Sequence, residues 1–82
     1  MKTICYSKAA DAALAKMPKA QAEKIEAKIE QLALAPETLG ANVKRLQGSE
    51  SWRLRVDRYR VIYDDGIVLD ILEIGQRKEI YR

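Results

Sequence analysis

The sequence predicts an α+β domain: an N-terminal strand, two helices, then antiparallel strands forming a small twisted sheet with the helices on one face. Three observations predict this fold class. Apolar residues recur at helical spacing only in the first half of the chain, up to residue 34. Alternating apolar and polar residues, which are typical of strands, occupy the second half. The 82 residues leave no room for a second core, so we expect one domain over residues 1–82.

The chain begins with a predicted strand and a predicted helix. Thr3–Tyr6 is apolar and prone to form a strand, and Ser7 after it is suited to cap a helix. Apolar residues at helical spacing then continue as far as Met17. We expect the helix to end there, because Pro18 interrupts it and also suits the first position of a second helix.

The second helix, over residues 19–34, has the clearest apolar stripe in the chain. Lysine and glutamate occupy its other side, and we expect these charges to form an ordinary solvated face. Pro36 is predicted to end the helix, because proline disfavours a helical conformation before it. Residues 39–42 are predicted to form a loop.

Strands are predicted for most of the second half of the chain. They cover Val43–Leu46, Trp52–Val56, Tyr59–Tyr63 and Ile67–Ile74. The last of these is apolar on both faces, so we expect it to be central and well buried. Trp52, Tyr59 and Tyr63 fall on the apolar face of their strands and are expected to pack in the core.

Two hairpins would set the register of this sheet. With Asp57 and Arg58 as a two-residue loop, the side chains of Arg53, Arg55 and Arg60 lie on one face, although Asp-Arg lacks the positive-φ residues that tight hairpins favour. A second loop is predicted at Asp64-Asp-Gly66, with Gly66 in the left-handed region.

The second loop sets the pairing of the last strand. It would pair Tyr63 with Ile67 and Val61 with Leu69, and it would place Asp70 opposite Arg60, where the two charges match.

The composition excludes several classes of function. The chain has no histidine, no glycine-rich phosphate loop and no metal-ligand spacing, so neither a metal nor another cofactor is expected. The lone cysteine, Cys5, lies in an apolar stretch and is expected to be buried. No apolar run approaches the ~18 residues of a membrane span. We expect a cytoplasmic protein that does not bind membranes.

The positive charge is concentrated rather than large. The formal net charge is only +3, yet all seven arginines lie in the second half of the chain. Arginine is a rigid planar donor suited to phosphate, and like charges repeated along a strand destabilise a sheet. Arg77 and Tyr81 follow the predicted turn at Gly75 and offer a further charge and a flat ring for stacking on a base. These residues favour a site for phosphate or RNA over a solvated sheet face.

Four motifs, in this order and spacing, resemble the RelE family of bacterial and archaeal toxins, within the RelE/ParE superfamily. They are Lys44-Arg-Leu-Gln-Gly48, Trp52-Arg-Leu-Arg-Val56, Tyr59-Arg-Val-Ile-Tyr63 and Ile74-Gly-Gln-Arg-Lys-Glu-Ile-Tyr81. The resemblance covers nearly the whole chain. It implies a RelE-like fold and a ribosome-dependent mRNA endonuclease that enters the ribosomal A site. In that reaction the 2′-hydroxyl attacks the adjacent phosphate and leaves a 2′,3′-cyclic phosphate. The implied partners are a cognate antitoxin, mRNA and the A site of a 70S-type ribosome, including its rRNA.

The resemblance also implies roles for individual residues. The catalytic residues would be Arg55, Arg60, Arg77 and Tyr81, and the residues binding RNA phosphates would be Lys44, Arg45, Arg53 and Lys78. At the position of Arg55 the family pattern has a lysine proposed to help remove the 2′-hydroxyl proton. Arginine is a poor general base, so Arg55 would instead stabilise charge on the phosphate. Deprotonation is then left to Tyr81, to Glu79, to water or to an RNA group.

Two other functions remain open at this point. One is a ParE-like toxin that inhibits DNA gyrase by protein contact, which would not require Arg53, Arg77 and Tyr81 together. The other is a catalytically inactive module of the same fold that binds an antitoxin or a nucleic acid. The basic cluster with Tyr81 favours the RNase, whereas the missing lysine leaves the other two open.

Overall fold

The computed structural model describes residues 1–76, which form one five-stranded sheet and two α-helices. In chain order the elements are β1 (Ile4–Tyr6), α1 (Lys8–Lys16), α2 (Lys19–Leu34), a 3₁₀ helix (Pro36–Asn42), β2 (Val43–Arg45), β3 (Trp52–Val56), β4 (Tyr59–Asp65) and β5 (Leu69–Gln76). The fold class predicted from the sequence is confirmed. Within residues 1–76, no helix has the length and apolar character needed to cross a membrane.

Ser7 caps α1, as the sequence predicts. Its hydroxyl accepts a hydrogen bond from the backbone N–H of Ala10 at 3.0 Å and donates one to the carbonyl oxygen of Leu72 in β5 at 2.7 Å. The side chain therefore satisfies a free N–H group at the start of the helix and also ties that helix to the sheet. Pro18 is the N-cap residue of α2, where the missing N–H costs no helical hydrogen bond.

The hydrophobic core lies between the helices and one face of the sheet, which we call the inner face. Ile25 and Ile29 of α2 are fully buried, and so are Leu54, Val61 and Ile71 of the sheet. All five belong to one hydrophobic cluster. Burying a side chain of this size contributes about 1.5–3 kcal/mol, so this layer is the main source of stability. The opposite face of the sheet is the outer face.

Aromatic side chains pack on the same core, as predicted. Tyr63 is 2% exposed, and Trp52 and Tyr59 are partly buried against the cluster. Burial, followed by the negative charge of Asp65, raises the pKa of Tyr63 to about 12. Burial, followed by nearby carboxylates of the two helices, likewise raises the pKa of Tyr6 to about 12. Both phenols are therefore held in their neutral form.

The strand order in the sheet is β1-β5-β4-β3-β2. β5 lies between β1 and β4, so the last strand is an interior strand, as predicted. Its predicted start is wrong, because β5 begins at Leu69, Ile67 is 97% exposed, and Tyr63 pairs with Ile71 instead of Ile67. β1 pairs with it in parallel, and the other neighbouring strands are antiparallel. The chain returns from β1 through both helices before it reaches the sheet again, so both helices pack on the inner face.

The first hairpin has the register that a two-residue loop predicts. Val56 pairs with Tyr59 and Arg55 pairs with Arg60 across the loop of Asp57 and Arg58. Asp57 supplies the positive φ that the loop needs, at 55°. Aspartate is among the few non-glycine residues that enter this region at modest cost, which explains how the loop forms without a glycine.

The second hairpin differs from the prediction. Asp64 and Asp65 belong to β4, the turn covers residues 66–68, and Gly66 is not at positive φ. Val61 consequently pairs with Ile74 instead of Leu69. A register shift beside Ile62 leaves Leu72 as an extra residue in β5. This extra residue turns the side chain of Ile74 to the inner face, where Leu69 and Ile71 also lie. Leu69 and Ile71 are two residues apart, whereas Ile71 and Ile74 are three apart, and the odd spacing requires a bulge.

The register change overturns one specific pairing. Asp70 lies opposite Asp64, whereas Arg60 lies opposite Gly75. Since Asp70 and Gly75 are five residues apart on β5, they are separated by about 15 Å along the strand. The predicted charge match between Asp70 and Arg60 is therefore wrong. The cause is that β5 is apolar on both faces, so alternation does not determine its register.

Two smaller predictions are also wrong. Cys5 is exposed, because β1 turns Ile4 and Tyr6 toward the core and leaves Cys5 on the outer face opposite Asp70. The segment after Pro36, predicted as a loop at residues 39–42, is part of the 3₁₀ helix, and it buries Leu39 in the core.

Candidate nucleic-acid interface

Three arginines lie on the outer face of the β3–β4 hairpin. Along β3, Leu54 and Val56 are buried on the inner face, so Arg53 and Arg55 turn outward. Arg60 of β4 lies directly opposite Arg55. Opposite residues in an antiparallel pair have Cβ atoms about 4.5–5.5 Å apart, and diagonal neighbours, such as Arg53 and Arg60, are about 7–8 Å apart. We call Arg53, Arg55 and Arg60 the arginine face.

The three guanidinium groups differ in exposure. Arg55 is exposed, Arg53 is half-buried, and Arg60 is only 7% exposed. The Nε atom of Arg53 is shielded from solvent and has no hydrogen-bond acceptor within residues 1–76. Arginine remains ionised at any physiological pH. The fold therefore holds permanent positive charges at the surface and just beneath it.

Arg55 and Arg60 place two positive charges directly opposite each other in the sheet. Like charges directly opposite each other in a sheet destabilise it by roughly 0.2–1 kcal/mol. Among the hydrogen bonds and ion pairs of residues 1–76, none joins a carboxylate to Arg53 or Arg55. An anionic ligand would relieve this repulsion, so the arrangement suits a phosphate.

Lys44 extends the arginine face toward the edge of the sheet. It pairs with Arg53 across β2 and β3 and therefore shares its face. Arg45, predicted to bind RNA, turns to the other side. Its guanidinium carbon lies 5.9 Å from the centre of the Trp52 ring, and its Nε donates to the carbonyl oxygen of Ser49 at 3.2 Å. Arg45 thus orders the β2–β3 loop, and it also lines a cavity beside Lys44 and Arg53.

The remaining predicted site residues, Arg77, Lys78 and Tyr81, lie outside the described residues. β5 ends at Gln76, which pairs with Tyr59 at the start of β4. The sequence position of Arg77 therefore follows directly after the end of β5 that carries Gly75, the residue opposite Arg60.

The outer face is divided by charge along the strands. The end away from the arginine face carries Asp64 and Asp70, which lie directly opposite each other. The Ser51 hydroxyl donates to Asp64 at 2.7 Å and satisfies one of the carboxylate oxygens. A polyanion on this face would be attracted to the hairpin end and repelled from the other end.

Sequence reasoning missed three residues near this site. Lys24 and Lys28 of α2, predicted to be solvated, line a cleft of about 240 Å³ together with Arg55. Glu73 of β5 lies on the outer face opposite Ile62, and is thus the diagonal neighbour of Arg60. The helical spacing of the two lysines showed that they share a face of α2, but no local signal showed that this face meets β3.

The arrangement defines the chemistry that the arginine face supports. Its guanidinium groups stabilise negative charge that develops on a phosphate and donate hydrogen bonds to its oxygens. They do not accept a proton at neutral pH. Within residues 1–76, no group of histidine, cysteine, aspartate and glutamate has the geometry of a metal site. The site is therefore one for binding and polarising an anion.

Comparison with known proteins places this chain in a family. Residues 4–81 match a family model described as the ParE toxin of the type II toxin–antitoxin system parDE. No curated protein sequence is significantly similar to the chain. The archaeal RelE–RelB complex from Pyrococcus horikoshii OT3 contains a chain 26% identical to this one, with a TM-score of 0.78 over 93% of this chain and 94% of that one.

Two further solved structures share the fold. The intact E. coli RelBE toxin–antitoxin complex is 17% identical, with a TM-score of 0.76 over 93% of this chain and 96% of that one. The RelB–RelE antitoxin–toxin complex from Methanococcus jannaschii is 22% identical, with a TM-score of 0.74 over 94% of each chain. The family model covers nearly the whole chain, and the resemblance to RelE toxins noted in the sequence is confirmed. The chain therefore belongs to the RelE/ParE superfamily and is a toxin of a type II toxin–antitoxin system.

Proposed function

We propose that the toxin is an endoribonuclease that cleaves mRNA in the ribosomal A site and so inhibits translation. The observation that carries this proposal is the direct opposition of Arg55 and Arg60, with Arg53 diagonal to Arg60, on one open sheet face. That arrangement concentrates positive charge on one face of the sheet, and a phosphate bound there accepts charge-assisted hydrogen bonds from the guanidinium groups.

The reaction that fits this site is attack of a ribose 2′-hydroxyl on the adjacent phosphate. The bond from phosphorus to the 5′-oxygen breaks, and the products are a 2′,3′-cyclic phosphate and a 5′-hydroxyl. Arg55 and Arg60 would stabilise the extra charge on the pentavalent phosphate. Arg77 would support the leaving oxygen, and Tyr81 would stack on a base and orient it. The proton of the 2′-hydroxyl would go to Tyr81, Glu79, water or an RNA group, and water would supply a proton to the departing 5′-oxygen.

Cleavage should depend on the ribosome. The described part of the site has anion-binding groups and no histidine, so it offers charge stabilisation more than proton transfer. Holding the 2′-hydroxyl in line with the phosphate supplies a large part of the remaining acceleration, and a codon presented in the A site is already held in place. Weak activity on free RNA is the consequence.

The proposed protein partner is a cognate antitoxin. The solved structures with this fold include complexes of RelE with RelB. An exposed basic face is suited to an acidic or amphipathic segment that folds on binding. Such a segment would neutralise the toxin by covering the charges that RNA requires.

A second function, inhibition of DNA gyrase by protein contact, is favoured by the name of the matching family model, the ParE toxin. The two functions make different demands on the site. RNA cleavage requires the charges of the arginine face together with Arg77 and Tyr81. Contact with gyrase does not require Tyr81, so inhibition should persist in Tyr81→Ala.

One experiment separates these functions. Cleavage of an mRNA on programmed ribosomes is mapped by primer extension, beside the same mRNA without ribosomes and beside a gyrase supercoiling assay. Folded Arg77→Ala and Tyr81→Ala variants are compared with the unchanged toxin. Cuts that occur only with ribosomes and are lost in both variants support the RNase. Inhibited supercoiling, with no cuts in either setting, would replace it with the gyrase toxin.

A further inference from the structure

A second cluster of positive charge lies at the unpaired edge of β3. β2 pairs with β3 only as far as Leu54, so the edge beyond it is uncovered by a strand within residues 1–76. The cleft of about 240 Å³ at this edge is lined by Lys24 and Lys28 of α2, by Asn42 and by Arg55. We call it the lysine cleft. Arg55 belongs both to this cleft and to the arginine face.

Of the three cations of the lysine cleft, Lys24 is in an ion pair within residues 1–76, whereas Lys28 and Arg55 are not. Lys24 and Lys28 are one helical turn apart, and like charges at this spacing destabilise a helix by roughly 0.2–0.5 kcal/mol. Arg55 brings a third positive charge to the same opening. Asn42 adds an amide that donates hydrogen bonds. Three cations and a donor around a small cleft form a site for an anion with several acceptor oxygens.

One carboxylate at the rim partly masks this site. Asp57 in the hairpin loop lines the cleft and pairs with Lys24, with Nζ at 2.8 Å from Oδ2 and 3.1 Å from Oδ1. The hydrogen bond from Lys24 lowers the pKa of Asp57, so the carboxylate stays ionised at neutral pH. Both side chains are about half exposed, at 53% and 45%. Ion pairs this exposed are weak and easily exchanged, so a phosphate can displace Asp57 from Lys24.

We propose that the lysine cleft binds a backbone phosphate of RNA, separate from the phosphate on the arginine face. Arg55 stands between the two sites, so a strand leaving the arginine face crosses the unpaired edge of β3 directly into the cleft. The acidic end of the outer face, at Asp64 and Asp70, disfavours a path along the strands. The choice of RNA as the polyanion rests on the proposed function.

The test measures binding rather than cleavage. The probes are a short single-stranded 2′-O-methyl oligoribonucleotide, which has no attacking hydroxyl, and ribosomes without mRNA. The double variant Lys24→Gln, Lys28→Gln is compared with Lys8→Gln, Lys16→Gln on α1. Each lowers the net charge from +3 to +1, because each lysine replaced removes one charge. Neither Lys8 nor Lys16 lines the lysine cleft.

Binding of a phosphate in the lysine cleft predicts a specific salt dependence of the affinity for RNA. For single strands, log K falls with log salt concentration with a slope of about −0.7 per phosphate contacted. Loss of one phosphate contact should reduce the magnitude of the slope by about 0.7 and weaken binding by about tenfold at low salt. The α1 variant should change both quantities much less. Asp57→Asn should strengthen binding about two- to fivefold, since it removes the competing charge and asparagine tolerates the positive φ at this position.

The outcomes divide clearly. Weaker binding of the oligoribonucleotide by the Lys24→Gln, Lys28→Gln variant shows that the phosphate comes from a single strand such as mRNA. If this variant binds only the empty ribosomes more weakly, the phosphate comes from rRNA. Equal behaviour of the two double variants with both probes would overturn the inference, and so would a wild-type toxin that binds neither probe. If the toxin binds RNA in this way but never cleaves it, the proposed function is wrong, and the assignment of the lysine cleft as a phosphate site is retained.

Discussion

Replacing Arg55 by glutamine should lower activity and raise stability together. The side chain is exposed and lies directly opposite Arg60. Glutamine keeps most of its length and removes its charge, so the main changes are loss of repulsion in the free protein and loss of charge stabilisation on the phosphate. These two effects have opposite signs, which distinguishes a functional residue from one that supports the fold.

The structure sets the size of each effect. Relief of a directly opposed like-charge pair is worth about 0.2–1 kcal/mol, which for a domain of this size raises Tm by about 1–8 °C. Removing one donor that stabilises developing negative charge costs about 10²–10³-fold in rate. The cleavage rate on programmed ribosomes should therefore fall by two to three orders of magnitude while the Tm rises.

Arg58→Gln provides the matched control for this variant. It removes the same charge from the loop of the same hairpin, and Arg58 is exposed and not a member of the arginine face. Its cleavage rate should remain within a few-fold of wild type. Equal loss of activity in the two variants would show that net charge, rather than the opposed pair, is responsible. A marked fall in Tm for Arg55→Gln would refute the claim that the pair is strained in the free protein.

Three further predictions concern the fold that positions the site. Ser7→Ala removes both the N-cap bond to Ala10 and the bond to Leu72, and should lower the free energy of unfolding by about 1–2 kcal/mol in urea titrations; an unchanged midpoint would contradict the cap. Ile29→Ala opens a cavity in the fully buried core and should cost about 2–5 kcal/mol in the same assay; a loss below about 1 kcal/mol would place Ile29 nearer the surface. The raised pKa of Tyr63, about 12 in the folded state against an ordinary 10.0, means that its stabilising contribution is complete below about pH 10 and is lost as pH rises toward 12. Urea midpoints should therefore fall less steeply over this range in Tyr63→Phe than in wild type, and parallel curves would contradict the assignment.

Local patterns in the sequence were sufficient to predict the strands that carry the arginine face. Strict alternation in Trp52–Val56 places Arg53 and Arg55 on one side whatever the strand pairs with. A two-residue loop then leaves one register for Tyr59 onward, and this puts Arg60 opposite Arg55. The site was predictable to this extent because each step depends on neighbours in the chain.

The parts that were not predictable depend on distant neighbours. β5 has apolar residues on both faces, so its register depends on which three of them reach the core, and a bulge at Leu72 decides that. Cys5 is apolar in character, yet its exposure follows from the parallel pairing of β1 beside β5. Lys24 and Arg55 line one cleft, because α2 lies beside the edge of β3. The helical periodicity of α2 shows which lysines face outward but not what lies beside them.

The central claim is that, on the ribosome, the arginine face promotes attack of an mRNA 2′-hydroxyl on the adjacent phosphate. The most direct test compares two mRNAs in programmed ribosomes, identical except that one has a 2′-deoxy or 2′-O-methyl nucleotide at the mapped cleavage position. The claim predicts cleavage of the unmodified mRNA with a 2′,3′-cyclic phosphate end, and no cleavage at that position in the modified one. Equal cleavage of both mRNAs would contradict it, as would the absence of any cleavage by a folded toxin that still arrests growth.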